Sequence, residues 1–100
     1  MTLVSNEGIK MFVISLTYLV EREQVLPFLE EHYQYLDNHY EQGVFIASGP
    51  NESKNGGVII AHKVTREQVE DIIQQDPFIK NNLASIEIIA FEPTKGKYAK

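Results

Sequence analysis

The chain has 100 residues, 43% of them apolar and 23% charged, which suits one folded domain and argues against disorder. A formal charge of −5 and a pI near 5.1 disfavour a partner with a phosphate backbone, so no nucleic acid is expected. With no cysteine, disulfides, thiolate metal sites and a cysteine nucleophile are excluded.

No apolar run approaches the ~20 residues that span a bilayer, and no basic segment precedes a long apolar core at the N-terminus. The expectation is a soluble, cytoplasmic protein with no membrane partner. Met1 to Lys10 shows little periodic pattern, so residues 1–10 are expected to be an extension and 11–100 one domain.

Met11 to Tyr18 is rich in β-branched and aromatic residues, with Phe12, Ile14, Leu16 and Tyr18 alternating onto one face. This predicts the first strand. From Glu21 the period changes, and Val25, Leu29, Tyr33, Leu36 and Tyr40 follow the spacing of an amphipathic helix that Gly43 stops. Pro27 either opens this helix or kinks it. A second strand is expected from about Val44 to Gly49. The turn-formers Asn51 to Gly56 then lead into a third strand, Gly57 to His62. Thr65-Arg66-Glu67-Gln68 has the form of a capping box and opens a second helix, striped by Val69, Ile72 and Ile73, which Pro77 ends. Ser85 to Phe91 reads as the fourth strand.

The order βαββαβ matches a ferredoxin-like α+β arrangement, with two helices packed on one face of a four-stranded sheet. Two helices cover only that face. Val13, Ile46, Ile59, Ala61, Ile89 and Phe91 put apolar residues on both faces, so the other face is expected to meet a second copy in a homodimer that closes a barrel-like core, a dimeric α/β-barrel.

Phe45-Ile46-Ala47-Ser48-Gly49-Pro50 reads as a buried strand that ends on a hydroxyl, a glycine and a proline. Ser48, Gly49 and Pro50 thereby fall at a sheet end, where binding groups tend to be placed, although most strand ends are only structural. Asp76, at the C-terminal end of the second helix, faces the negative end of the helix dipole at some cost, unless it is a solvated residue that starts a turn. His32 lies at the margin of the buried stripe, where a carboxylate partner would fix its tautomer and suit it to proton transfer; alone, such a histidine is more often structural. His39 shares that side, but two histidines without a placed carboxylate do not make a metal site, and none is expected. Tyr33, Tyr35 and Tyr40 could stack a ligand ring, but their helical spacing mainly suggests packing with polar tips near water, and His62 reads as a strand-end polar group. Gly56 and Gly57 lie between strands, so no phosphate-cradling loop is indicated, and no serine sits in a nucleophile elbow.

Together His32, the strand ending Ser48-Gly49-Pro50 and the Asp76-Pro77-Phe78 turn resemble the YciI-like (YCII-related) family over nearly all of Met11 to Pro93. The resemblance implies a dimeric ferredoxin-like α/β-barrel. It also implies a pocket where a histidine and an aspartate meet, matched here by His32 and Asp76. Related proteins include enzymes acting on cyclic, chlorinated or lactone-like small molecules, by dehydrochlorination or isomerisation; the fold also hosts cofactor-free oxygenases and plain binding modules. Two expectations follow. One is a cofactor-independent lyase or isomerase in which Asp76 orients His32 for proton transfer while Ser48 and nearby amides hold a substrate oxygen. The other is a non-catalytic dimer that binds a metabolite or protein, with His32 and Asp76 a structural pair.

Overall fold

The structure, a computed structural model, describes residues 10–99; apart from Lys10, the expected extension lies outside the described residues. Strands β1 (Met11–Tyr18), β2 (Phe45–Pro50), β3 (Gly56–His62) and β4 (Ala84–Phe91) form one sheet in the order β2-β3-β1-β4. All three strand pairs are antiparallel, and the helical segments fall after β1 and after β3, the ferredoxin-like topology. Pro50 belongs to β2 rather than terminating it, because β2 is a sheet edge and a missing N–H there breaks no ladder.

The first helical segment is divided. Helix α1 (Arg22–Val25) passes through a 3-10 turn, Leu26–Phe28, into helix α2 (Leu29–Glu41), with Pro27 at the start of the turn. A 3-10 turn advances by three residues rather than 3.6, so it rotates everything after it relative to a continuous wheel. The buried stripe within α2 also differs from the expected one. Val25 and Leu36 are buried as expected and Leu29 is half-buried, but Tyr33 and Tyr40 face outward while Tyr35 and His39 turn into the core. Helix α2 ends as Gly43 predicts: at φ +77°, Gly43 donates to the Tyr40 carbonyl and Val44 to the His39 carbonyl, closing a Schellman motif.

Helix α3 (Arg66–Ile73) starts in the expected capping box, with Thr65 Oγ1 accepting from the Gln68 amide and the Gln68 side chain accepting from the Thr65 amide. The chain does not then leave the helical layer at Pro77. A short fourth helix, α4 (Pro77–Lys80), follows, with proline in its first turn, where the missing N–H costs nothing.

The core lies between the helices and one sheet face. Phe12, Ile14 and Leu16 of β1 pair with Ala61, Ile59 and Gly57 of β3, and these apolar side chains pack with Val25, Tyr35, Leu36, Val69, Ile73 and Phe78. Burying a side chain such as Phe12 or Ile14 stabilises the fold by roughly 1.5–3 kcal/mol. Ile59 and Ala61 therefore belong to the helix-covered face, an assignment that a strand apolar on both faces leaves open, since it carries no parity signal. Ile46 sits half-buried at the irregularity between Phe45 and Ala47. On the open face, Ile60, Val13 and Ile89 line up across three strands, with Phe91 beside them. Ile89 and Phe91 are 56% and 45% exposed.

Candidate functional site

Asp76 is the most deeply buried charged residue described, 1% exposed, and its position differs from the expected one. It does not strain the end of α3. It caps the start of α4, its Oδ1 accepting the Phe78 amide at 2.9 Å, so the local helix favours the carboxylate instead of opposing it. The same Oδ1 is 2.9 Å from His32 Nδ1. An ionised carboxylate only accepts, so Nδ1 carries the proton that donates to it, and Nε2 of the neutral ring keeps its lone pair. His32 itself is nearly enclosed, with 12% of its side chain exposed.

Aromatic rings fix the plane of that imidazole. Phe78 stacks on it with ring centroids 4.1 Å apart and planes 7° from parallel, and Tyr35 lies at 6.2 Å. The Asp76-Pro77-Phe78 segment thus supplies both the hydrogen-bond acceptor and the stacking surface. Tyr35 donates its hydroxyl to the Ile72 carbonyl at 2.9 Å, tying α2 to the end of α3. Burial first, and then the nearby Asp76 charge, push the Tyr35 phenol far above its ordinary titration range.

His32 opens onto a cleft of about 260 Å3 between the α1–α2 segment and the strands β1, β2 and β3. Ser48, Gly49 and Pro50 line the opposite side, so the structure brings four of the five expected site residues to one cleft and places the fifth, Asp76, behind His32. The Ser48 hydroxyl is 2.6 Å from the Tyr40 hydroxyl, which holds its rotamer. Part of the floor is main chain. A Cβ at Gly56 would overlap the Leu16 carbonyl, and one at Gly57 would come within 3.0 Å of the Gly49 carbonyl.

Sequence reasoning missed Arg22 and Tyr18, which also line the cleft, as does Tyr33, a candidate ring-stacking residue that reads mainly as packing. His39 makes no part of it: buried at 6% exposure, it donates Nδ1–H to the Tyr35 carbonyl and packs on Phe45. His62 is tied by Nε2 to the Gly43 carbonyl at 3.0 Å, with the Tyr98 ring edge-on to it. Among the described residues, no three His, Cys, Asp or Glu side chains cluster so as to hold a metal ion, and no helix is long and apolar enough to cross a membrane.

Fold and cleft together define a small ferredoxin-like α+β protein with a buried His–Asp pair at the wall of a cleft. The chain belongs to the YCII-related domain family, whose model matches residues 11–92. Among solved structures it is similar to the 5-chloro-2-hydroxyhydroquinone dehydrochlorinase TftG from Burkholderia phenoliruptrix, solved with 2,5-dihydroxybenzoquinone. That match has a TM-score of 0.67 and 19% identity, covering 90% of this chain and 99% of that one. It is also similar to a conserved protein from Methanosarcina mazei, with a TM-score of 0.56, 14% identity and coverage of 90% and 98%. A third likeness is to a protein of unknown function from Bacteroides thetaiotaomicron, described as a possible oxidoreductase. Its TM-score is 0.54 at 11% identity, with coverage of 85% and 98%. At these identities the likeness shows a shared fold. No curated protein matches the sequence.

Proposed function

We propose that the protein is a cofactor-independent lyase or isomerase acting on a small cyclic molecule, with His32 as general base. The observation that carries this reading is the 2.9 Å hydrogen bond from His32 Nδ1 to a buried carboxylate beside a ligand-sized cleft. In the proposed step Nε2 takes a proton from an acidic carbon or hydroxyl of the substrate. The electron pair left behind either expels a leaving group such as chloride from the adjacent position, Nε2–H then passing its proton to solvent so that hydrogen chloride is lost overall, or relocates a double bond, Nε2–H then returning the proton to the other end of the shifted system. Asp76 stabilises the imidazolium formed in between. Ser48 holds a substrate oxygen: either hydroxyl can donate in the Tyr40–Ser48 contact, and when Tyr40 donates to the Ser48 Oγ the Ser48 proton is free to donate onward. The dehydrochlorinase with this fold supports the lyase form, since loss of hydrogen chloride from a hydroxyhydroquinone is such a step.

The test is incubation with 5-chloro-2-hydroxyhydroquinone and, separately, with lactones bearing an acidic α-proton, following chloride release and solvent deuterium incorporation. Turnover that His32→Gln lowers by roughly 10²–10⁴ supports the proposal, the usual range for one general base. Turnover unaffected by that change would sink it.

A second reading has its own observation: Asp76 caps α4 through the Phe78 amide, so the pair also anchors the post-helix turn. In that case the protein is a non-catalytic module, and His32→Ala and Asp76→Ala lose stability together with no ligand or turnover to lose. We further propose a homodimer through the open sheet face, on the strength of the Ile60, Val13 and Ile89 row with Phe91 beside it. Light scattering at micromolar concentration that finds only the 11.4 kDa monomer would rule this out.

A further inference from the structure

We propose that the cleft selects small single-ring molecules bearing an ionised oxygen, carboxylate or phenolate, and that Arg22 is the residue that binds that oxygen. This rests on reading the cleft as a substrate site. It adds what the substrate must carry.

The first support is the distribution of charge. The chain has 14 acidic against 9 basic residues, yet no aspartate or glutamate appears among the residues lining the cleft. Its polar side chains are Arg22, His32, Ser48, Tyr18 and Tyr33. All but the His32 Nε2 position offer hydrogen-bond donors, and Arg22 alone carries a fixed charge. A cleft rich in donors and free of carboxylates, on an acidic protein, is complementary to an anion and indifferent to a cation.

The second support is that Arg22 makes no ion pair with any of the described residues. The ion pairs among the described residues are His32 with Asp76 and Arg66 with Glu70. Glu21 and Glu23 flank Arg22 in sequence, but adjacent residues at a helix start point in different directions. A guanidinium presents a planar fork of donors that matches a carboxylate in two parallel hydrogen bonds, and it binds a phenolate oxygen through the same edge.

Size and wall chemistry set the rest of the ligand. A cleft of about 260 Å3 lies just below the usual range of small-molecule sites, which limits it to one substituted ring. Leu16, Val25, Leu26, Leu29, Leu36 and Ile59 supply the apolar wall for that ring. Arg22 would also stabilise negative charge that grows on a conjugated oxygen as His32 withdraws a proton.

The test uses two probe pairs of matched shape: benzoate against benzamide, and 4-nitrophenolate against 4-nitroanisole. Affinities are measured by NMR titration for the full chain and for Arg22→Gln, Arg22→Lys and His32→Gln, each first checked for folding by circular dichroism. The expected result is a preference of about tenfold or more for at least one anion over its neutral partner, as for a charge-assisted hydrogen bond. Arg22→Gln abolishes the preference, Arg22→Lys restores part of it, and added salt weakens anion binding alone. Which pair responds identifies the anion. Equal affinity for anion and neutral partner, a preference that survives Arg22→Gln, or no anion binding at millimolar concentration overturns the proposal. An Arg22-dependent preference that persists while His32→Gln leaves turnover unaffected overturns the catalytic reading and leaves the anion site standing.

Discussion

His32 and His39 lie two turns apart on α2, and each has its Nδ1 in a 2.9 Å hydrogen bond, yet they occupy different kinds of place. His39 donates to the carbonyl of Tyr35 on its own helix and is packed against Phe45; its partner would be there whatever the rest of the chain did. His32 reaches Asp76, 44 residues away, and borders a cleft. A neutral carbonyl holds a ring in place. A carboxylate also stabilises the ring once it takes a second proton, which a catalytic base requires. The difference lies in what the tertiary fold delivers to each ring.

Substitutions should widen that contrast. The largest effect is expected from His32→Gln, a loss of roughly 10²–10⁴ in turnover with little change in melting temperature, whereas His39→Phe should leave turnover within about twofold. If both variants lost activity equally, the contrast would collapse. Asp76→Ala removes the helix cap and the His32 acceptor together and should lower unfolding free energy by about 1–3 kcal/mol in urea titrations, besides lowering turnover by less than His32→Gln does. Asp76→Asn separates the two roles, because asparagine also caps helices: stability should largely return while turnover stays low. His39→Phe should cost about 1 kcal/mol for its lost hydrogen bond, a stability effect alone.

Tyr35, which lies against both histidines, gives a pH-dependent test. Its phenol is raised in the folded state, so the neutral form is favoured by folding and its contribution is intact below about pH 10, where the unfolded chain is also neutral. Above that the unfolded chain ionises first and stability falls. Near-ultraviolet titration should find one of the five tyrosines resisting ionisation until the protein unfolds, and Tyr35→Phe should remove that resistant group. The smallest expected effect is that of Tyr40→Phe, a fewfold loss of substrate affinity with stability unchanged, as the Ser48 hydroxyl loses the partner that orients it. Calorimetric binding of a responsive probe would measure it.

Much of this was legible in the sequence where the signal is local. The β1 alternation, the Thr65 to Gln68 capping box and the Gly43 stop depend on neighbouring residues, and all stand where expected. The His32, Ser48 and Asp76 set was accessible through spaced motifs that resemble a family rather than through any one residue. What was not legible depends on buried faces and partners. Aromatic residues stand on two faces of α2, and the helix buries Tyr35 and His39 rather than Tyr33 and Tyr40, a choice that periodicity alone leaves open. Pro77, read as a terminator, proved to be the first residue of α4, which turned Asp76 from an apparent cost into a cap. Ile59 and Ala61 sat on a strand apolar on both sides, where parity is ambiguous until Phe12 and Ile14 pair with them. Arg22 carries no motif, and only the assembled cleft gives it meaning.

The glycines at the start of β3 constrain how such a cleft can change. With Gly56 pressed against the Leu16 carbonyl and Gly57 close to that of Gly49, this part of the floor has almost no side chains to vary. New substrate ranges on this scaffold must therefore be carved from the roof, where Arg22, Leu26, Leu29 and Tyr33 project from one helical segment. A library confined to those four positions would sample most of the specificity available to the scaffold while leaving the His32 and Asp76 pair untouched.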